Sequence, residues 1–239
     1  MAKNVWWIGD STVQENRFDT WPQCGMGQEL YLYLRPAFTV RNHAKNGRSA
    51  RTFREEGRFI PVAEGLEAGD LLLISFGHND QKPVINPAAY SAPEVYKARL
   101  IAYAREAQEK GAFPVLLSPL ERRKFENGVP QATHGPYPDA VREAAGEAGL
   151  PFIDLNAKSR ALLASLGEAE SRRLFMNFDA GLYPHFPNGL ADNTHLRYEG
   201  AVRFAGLVAE GLRELGSPYA DFLLENTGEI LKEAPAAVM

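Results

Sequence analysis

Four short polar runs carry the residue types that acyl-transfer chemistry requires. Gly9-Asp10-Ser11-Thr12 places a hydroxyl just beyond an apolar run. Such a serine is either a nucleophile at the rigid edge of a sheet or the cap of a following helix. Asn46-Gly47-Arg48-Ser49 offers a glycine that lets a backbone N–H approach a ligand closely, or a plain turn. Gly77-His78-Asn79-Asp80 puts an amide side chain directly after the most apolar segment, where it can donate to a developing oxyanion. The competing reading there is a capped turn. Asp192-Asn193-Thr194-His195 sets a carboxylate three residues before an imidazole. That carboxylate can hold the tautomer whose other nitrogen accepts a proton from a serine. With His43, His78, His134 and His185 also present, a satisfied loop histidine is the bland alternative for His195. A metal site on His78, Asp80 or His195 lacks the dense ligand spacing such sites show. The glycine spacing of a phosphate cradle is missing after Gly9.

These runs are useful only if a scaffold brings them to one edge, and the remaining sequence predicts such a scaffold. Asn4–Gly9, Phe38–His43, Asp70–Phe76, Phe113–Ser118 and Pro151–Leu155 read as short buried strands bounded by Gly or Pro. Met26–Leu34, Pro93–Lys110, Pro138–Ala148, Asn156–Leu166 (with Asn156 as its N-cap) and Glu199–Leu215 read as helices. Strand–helix alternation predicts an α/β fold, a doubly wound parallel sheet of five strands with helices on both faces. A single domain over 1–216 is expected, with 217–239 as a tail whose apolar residues pack on the domain or a partner. Pro119–Pro138 and Gly167–Ala191 are too long for ordinary connections and are expected to border the ligand-binding edge.

Composition narrows the function classes. The 239 residues hold 26 Lys and Arg against 30 Asp and Glu, a net charge of -4, which gives no footprint for nucleic acid or an anionic membrane. One cysteine, Cys24, excludes a disulfide framework and any cysteine-based metal cluster. No run approaches the ~18 apolar residues of a membrane span, and Met1–Asp10 enters a strand without a signal-peptide pattern. A soluble cytoplasmic protein is therefore expected.

The four runs together resemble the SGNH (GDSL-type) hydrolase superfamily. Gly9-Asp10-Ser11, Gly47, Gly77-His78-Asn79-Asp80 and Asp192-x-x-His195 stand in the order of that superfamily's conserved blocks, across residues 5 to about 205. Asn46–Arg51 and Phe76–Asp80 look most like rhamnogalacturonan acetylesterases, carbohydrate esterases that deacetylate the pectin backbone. The resemblance implies a flavodoxin-like three-layer α/β/α sandwich and a serine acetylesterase without metal or organic cofactor. It further implies Ser11 as nucleophile, His195 as base, Asp192 as its orienting partner, and Ser11, Gly47 and Asn79 around the oxyanion. Asp10, Arg48, His78, Arg122 and Tyr137 are expected to meet an acetylated oligosaccharide. The alternatives are another SGNH esterase (acetylxylan esterase, lysophospholipase or thioesterase), a non-catalytic carbohydrate binder, or a flavodoxin-like nucleotide binder.

Overall fold

The computed structural model describes residues 3–225. In chain order the first half contains β1 (Asn4–Gly9), α1 (Met26–Glu29), β2 (Thr39–Asn42), α2 (Ala50–Glu55), α3 (Ile60–Gly65), β3 (Leu71–Ser75) and α4 (Pro93–Glu109). The second half contains β4 (Phe113–Leu117), β5 (Phe125–Glu126), β6 (Val129–Pro130), α5 (Tyr137–Ala148) and β7 (Phe152–Ile153). It continues with α6 (Leu155–Ser171), β8 (Phe175–Phe178), β9 (Leu190–Leu196) and α7 (Tyr198–Leu215). Five strands form the central sheet in the order β2-β1-β3-β4-β7, and every pairing is parallel.

The continuous apolar runs of β1, β3 and β4 follow from burial on both faces. Side chains alternate across a strand. Val5, Trp7, Leu71, Leu73, Val115 and Leu117 pack with α1, α6 and α7, whereas Trp6, Ile8, Leu72, Ile74 and Leu116 pack with α2 to α5. Two cores sandwich one sheet, giving three layers. The chain leaves β1 for β2 on one side and then returns for β3 on the other. The loops after β1 and β3 therefore diverge, and the crevice between them is where open sheets of this order hold ligands.

Several elements differ from the sequence expectation for identifiable reasons. The N-cap of α6 is Asp154, whose side chain accepts from the Ala157 N–H. Asn156 instead points inward and donates to the Pro119 carbonyl at 3.0 Å. The short helices α2 and α3 are additional, and α2 is started by a reciprocal cap between Ser49 and Thr52. Within Pro119–Pro138, β5 and β6 form a hairpin turning on Asn127 and Gly128, both at positive φ. Gly167–Ala191 is not one long loop: α6 runs on to Ser171 past a kink at Gly167, and β8 pairs antiparallel with β9. Asp192 and His195 consequently sit on a strand. Of the tail, Phe222 and Leu223 are buried, and Leu224 N–H donates to the Tyr33 carbonyl, while Ile230 and Leu231 lie outside the described residues. No helix among the described residues is long and apolar enough to cross a membrane.

One segment joins the β8–β9 ribbon to the main sheet. Cys24 N–H donates to the Leu196 carbonyl at 2.9 Å, and Met26 N–H donates to the Thr12 carbonyl at 2.9 Å. The segment runs so close to the turn after β1 that a Cβ on Gly25 would stand 2.2 Å from the Gln14 carbonyl oxygen. Only glycine fits that approach. Gly25→Ala is expected to lower stability by about 1–3 kcal/mol through backbone displacement, as urea unfolding beside the wild type would measure.

Candidate active site

Ser11 follows β1 by two residues, in a turn that Asp10 shapes. The Asp10 carboxylate accepts from Thr12 N–H at 3.0 Å and Thr12 Oγ at 2.9 Å, and its carbonyl accepts from Val13 and Gln14 N–H. His195 reaches this turn from β9. Its Nε2 lies 2.9 Å from Ser11 Oγ, and its Nδ1 lies 2.6 Å from Asp192 Oδ2. Asp192 Oδ1 accepts the backbone N–H groups of Thr194 and His195, so the carboxylate is fixed to its own strand. Burial pushes the Asp192 carboxyl up, but the His195 hydrogen bond and charge outweigh it and hold the group below the usual carboxylate range. An ionised Asp192 is acceptor-only, which leaves the proton on His195 Nδ1 and a lone pair on Nε2 facing the serine. Such a chain can deprotonate a hydroxyl and stabilise the imidazolium that results.

Two further turns, after β2 and β3, are tied to each other and to the turn after β1. Gly47, five residues beyond β2, has φ of +75° and no neighbour within 4 Å of a Cβ built on it, so its backbone is open to a ligand. Asn79 is buried after β3, and its Nδ2 donates to the Arg48 carbonyl at 3.1 Å. That bond ties the third turn to the second and uses one of the two amide protons, leaving the other for a ligand. Asp80 adds a second tie, accepting from Ala50 N–H at the start of α2 at 3.0 Å. Gln14 completes the frame by accepting the Asn46 N–H at 2.6 Å.

The structure joins Ser11, His195 and Asp192 and ties the turns of Gly47 and Asn79 to each other, but removes three other expected contacts from the cleft. Asp10 is 1% exposed and occupied by its own turn. His78 is 2% exposed and packs edge-on against His134, with ring centroids 4.6 Å apart. Tyr137 lies in the core, its hydroxyl donating to the carbonyls of Asp80 and Ser91. Arg48 is half-buried and paired with Glu56 at 3.0 Å, and Arg51 and Arg54 pair with Glu55 and Glu106. Arg122 differs, because its guanidinium donates to the carbonyls of Thr133 and His78 and not to a carboxylate. Sequence reasoning missed Glu121, His134 and Lys82, all near this edge. A buried acid and imidazole in a loop carry no periodicity or spacing, so only their burial reveals them. Among the described residues, no group of three or more His, Cys, Asp or Glu side chains is arranged to hold a metal ion.

The profile of the GDSL-like Lipase/Acylhydrolase family matches residues 7–177, which include the turns bearing Ser11, Gly47 and Asn79. The chain belongs to that family. It is 44% identical over 226 residues to the rhamnogalacturonan acetylesterase RhgT of Bacillus subtilis, covering 94% of this chain and 96% of that protein. A probable rhamnogalacturonan acetylesterase of the same organism, YesY, is 37% identical over 94% of this chain and 99% of its own length. Among solved structures, Bacillus subtilis YXIM superposes with a TM-score of 0.78 at 27% identity, covering 91% of this chain and 58% of that one. Axe2, an acetylxylan esterase of Geobacillus stearothermophilus, superposes with a TM-score of 0.59 at 18% identity, over 91% and 95% of the two chains. The family member described here is a carboxylic ester hydrolase with the three-layer SGNH fold.

Asp10 and Asp80 place two carboxyls under the site, and burial raises both above the usual range, Asp80 well above. A carboxyl whose pKa is raised on folding binds its proton more tightly in the folded state. Stability from Asp80 is then greatest below the ordinary carboxylate range and falls as pH rises towards the folded-state value. Asp80→Asn, which keeps the acceptor for Ala50, removes that dependence. Its melting temperature relative to wild type is expected to increase between pH 4 and pH 7, measured by thermal unfolding across that range.

Proposed function

We propose that this hydrolase removes O-acetyl groups from carbohydrate, acting on pectic rhamnogalacturonan oligosaccharides through an acyl-enzyme on Ser11. The observation that carries the chemistry is the unbroken chain Ser11 Oγ–His195–Asp192, with contacts of 2.9 and 2.6 Å between residues on different elements. Ser11 Oγ attacks the acetyl carbonyl as its proton passes to His195 Nε2. The oxyanion is met by the backbone N–H groups of Ser11 and Gly47 and by the free amide proton of Asn79. As the acetyl C–O bond breaks, His195 gives the proton to the departing sugar oxygen, and water then releases acetate by the reverse sequence.

The substrate reading rests on the similarity to RhgT over nearly the whole of both chains and on the character of two cavities. One, of about 560 Å³, borders the first two turns and carries the amides of Gln14, Asn16, Asn42 and Asn46 beside the charged Glu15, Arg17, Asp19 and Lys45. The other, of about 600 Å³, borders β9 and the segment after β4 and is lined by Arg122, Arg123, Lys124, Thr133 and Asn193 among others. Amide side chains suit neutral sugar hydroxyls, and guanidinium groups suit carboxylates. A sugar chain with neutral and acidic residues matches that division, and a long acyl chain matches neither cavity.

Acetate release from acetylated rhamnogalacturonan oligosaccharides, acetylated xylan oligosaccharides and an aryl acetate tests the proposal. Preferential release from the pectic oligosaccharides is expected. Release from the aryl ester alone, or a maximum rate with long acyl chains, overturns the substrate. Ser11→Ala is expected to lower kcat by about 10⁴-fold or more, and Asn79→Ala by roughly 10²–10³-fold. An Asn79→Ala rate within about twofold of wild type removes its oxyanion role.

A further inference from the structure

Three ionisable side chains that the proposed chemistry does not use form a chain under the third turn. Glu121, His134 and His78 are 0%, 1% and 2% exposed. Burying such groups is costly unless their hydrogen bonds are made, so a buried string of them calls for a role. Glu121 begins the excursion after β4 and is anchored to α6: its N–H donates to Ser159 Oγ at 2.8 Å, and its Oε2 accepts from Asn156 at 3.3 Å. Its Oε1 accepts from Thr133 N–H and Oγ and lies 3.2 Å from His134 Nδ1. His134 Nε2 lies 3.4 Å from His78 Nδ1. His78 directly precedes Asn79, and its carbonyl accepts from Arg122 Nη2 at 3.3 Å.

The protons in this chain follow from its acid end. Burial pushes Glu121 up, but hydrogen bonds from His134 and Thr133 outweigh it and hold the carboxyl below its ordinary value. Burial lowers both imidazoles, with Glu121 opposing it at His134, and with Arg122 and Lys82 adding repulsion at both rings. Ionised Glu121 only accepts, so His134 Nδ1 carries the proton and Nε2 is left as an acceptor. His78 must then donate from Nδ1. Each ring has one tautomer and one orientation, set in turn from α6.

We propose that Glu121, His134 and His78 form a buried relay that fixes the Gly77–Asp80 turn and thereby positions Asn79 for the oxyanion. The inference rests on the serine-esterase reading above, and the three residues are positioning residues that touch no substrate. On the other side, Asp80 and the Arg48 carbonyl hold the same turn, so Asn79 is clamped between α2 and the relay. The excursion after β4 thus acts as a brace between α6 and the oxyanion turn, in addition to lining a cavity.

A double-mutant cycle with Asn79→Ala tests this, with kcat and KM on an aryl acetate as the readout. Glu121→Gln keeps the shape of the side chain and removes the ionised acceptor. It is expected to lower kcat by about 10-fold to 100-fold, as small misplacements of a catalytic group do, with KM within about twofold. In the Asn79→Ala background the same change is expected to alter kcat by less than about twofold, because its effect passes through Asn79. His134→Gln is expected to give the same pattern, and supplies the cycle if Glu121→Gln fails to fold. An equal fall in both backgrounds, or no fall in the wild-type background, overturns the relay while leaving the esterase reading in place. Turnover that persists undiminished in Ser11→Ala overturns the esterase reading, and the relay with it.

Discussion

The 2.9 Å contact between Ser11 and His195 joins residues 184 apart in sequence, and the site depends on it. Nothing local to either residue creates this contact. Ser11 is placed by β1, a strand of the central sheet, whereas His195 belongs to a separate two-stranded ribbon. The Cys24–Met26 segment bonds to both, through Leu196 and Thr12, and Gly25 makes the close approach possible. Backbone hydrogen bonds between elements thus help set where Ser11 and His195 meet. A side-chain hydrogen bond alone would be a weak constraint, since it contributes only about 0.5–1.5 kcal/mol net.

Around this contact the polar groups divide by exposure. Ser11, Asn79, Asp192 and His195 lie at the crevice, while Asp10, Asp80, His78, His134 and Glu121 lie beneath it. Burial disfavours the charged forms of this set, raising the Asp80 carboxyl and lowering the His78 imidazole. What it gives is connection between turns: Asp10 within the first, Asp80 from the third to α2, Glu121 and His134 from α6 to the third. A site that must act on a developing charge gains most from groups that cannot reorient during the reaction. The surface arginines follow a different rule, because Arg51, Arg54 and Arg142 are each occupied by a nearby carboxylate.

The parts of the fold legible in the sequence were those with a period. Asp70–Phe76 announced β3 because a strand covered on both faces must be apolar throughout, and Glu199–Leu215 announced α7 by its stripe. The strand β9 was illegible because Leu190–Leu196 is mostly polar and becomes a strand only by pairing with β8. The hairpin of β5 and β6 has two residues per strand, too few for any pattern. Tyr137 misled in the opposite direction: an aromatic beside a loop resembled a sugar platform, yet the first turn of α5 carries it into the core.

Sequence by itself determined the doubly wound class, the strand-end positions of Ser11, Gly47 and Asn79, and the pairing of Asp192 with His195. Each of these follows from short-range facts: apolar runs, the turns that end them, and a spacing of three residues. Only the tertiary structure decided that His195 faces Ser11, that His78 and Asp10 are buried, and that Arg48 is paired with a carboxylate whereas Arg122 donates to backbone carbonyls. Those outcomes depend on which layers pack and which backbone groups meet across them. Residue type and local spacing set what a side chain can do, and long-range packing sets what it is near.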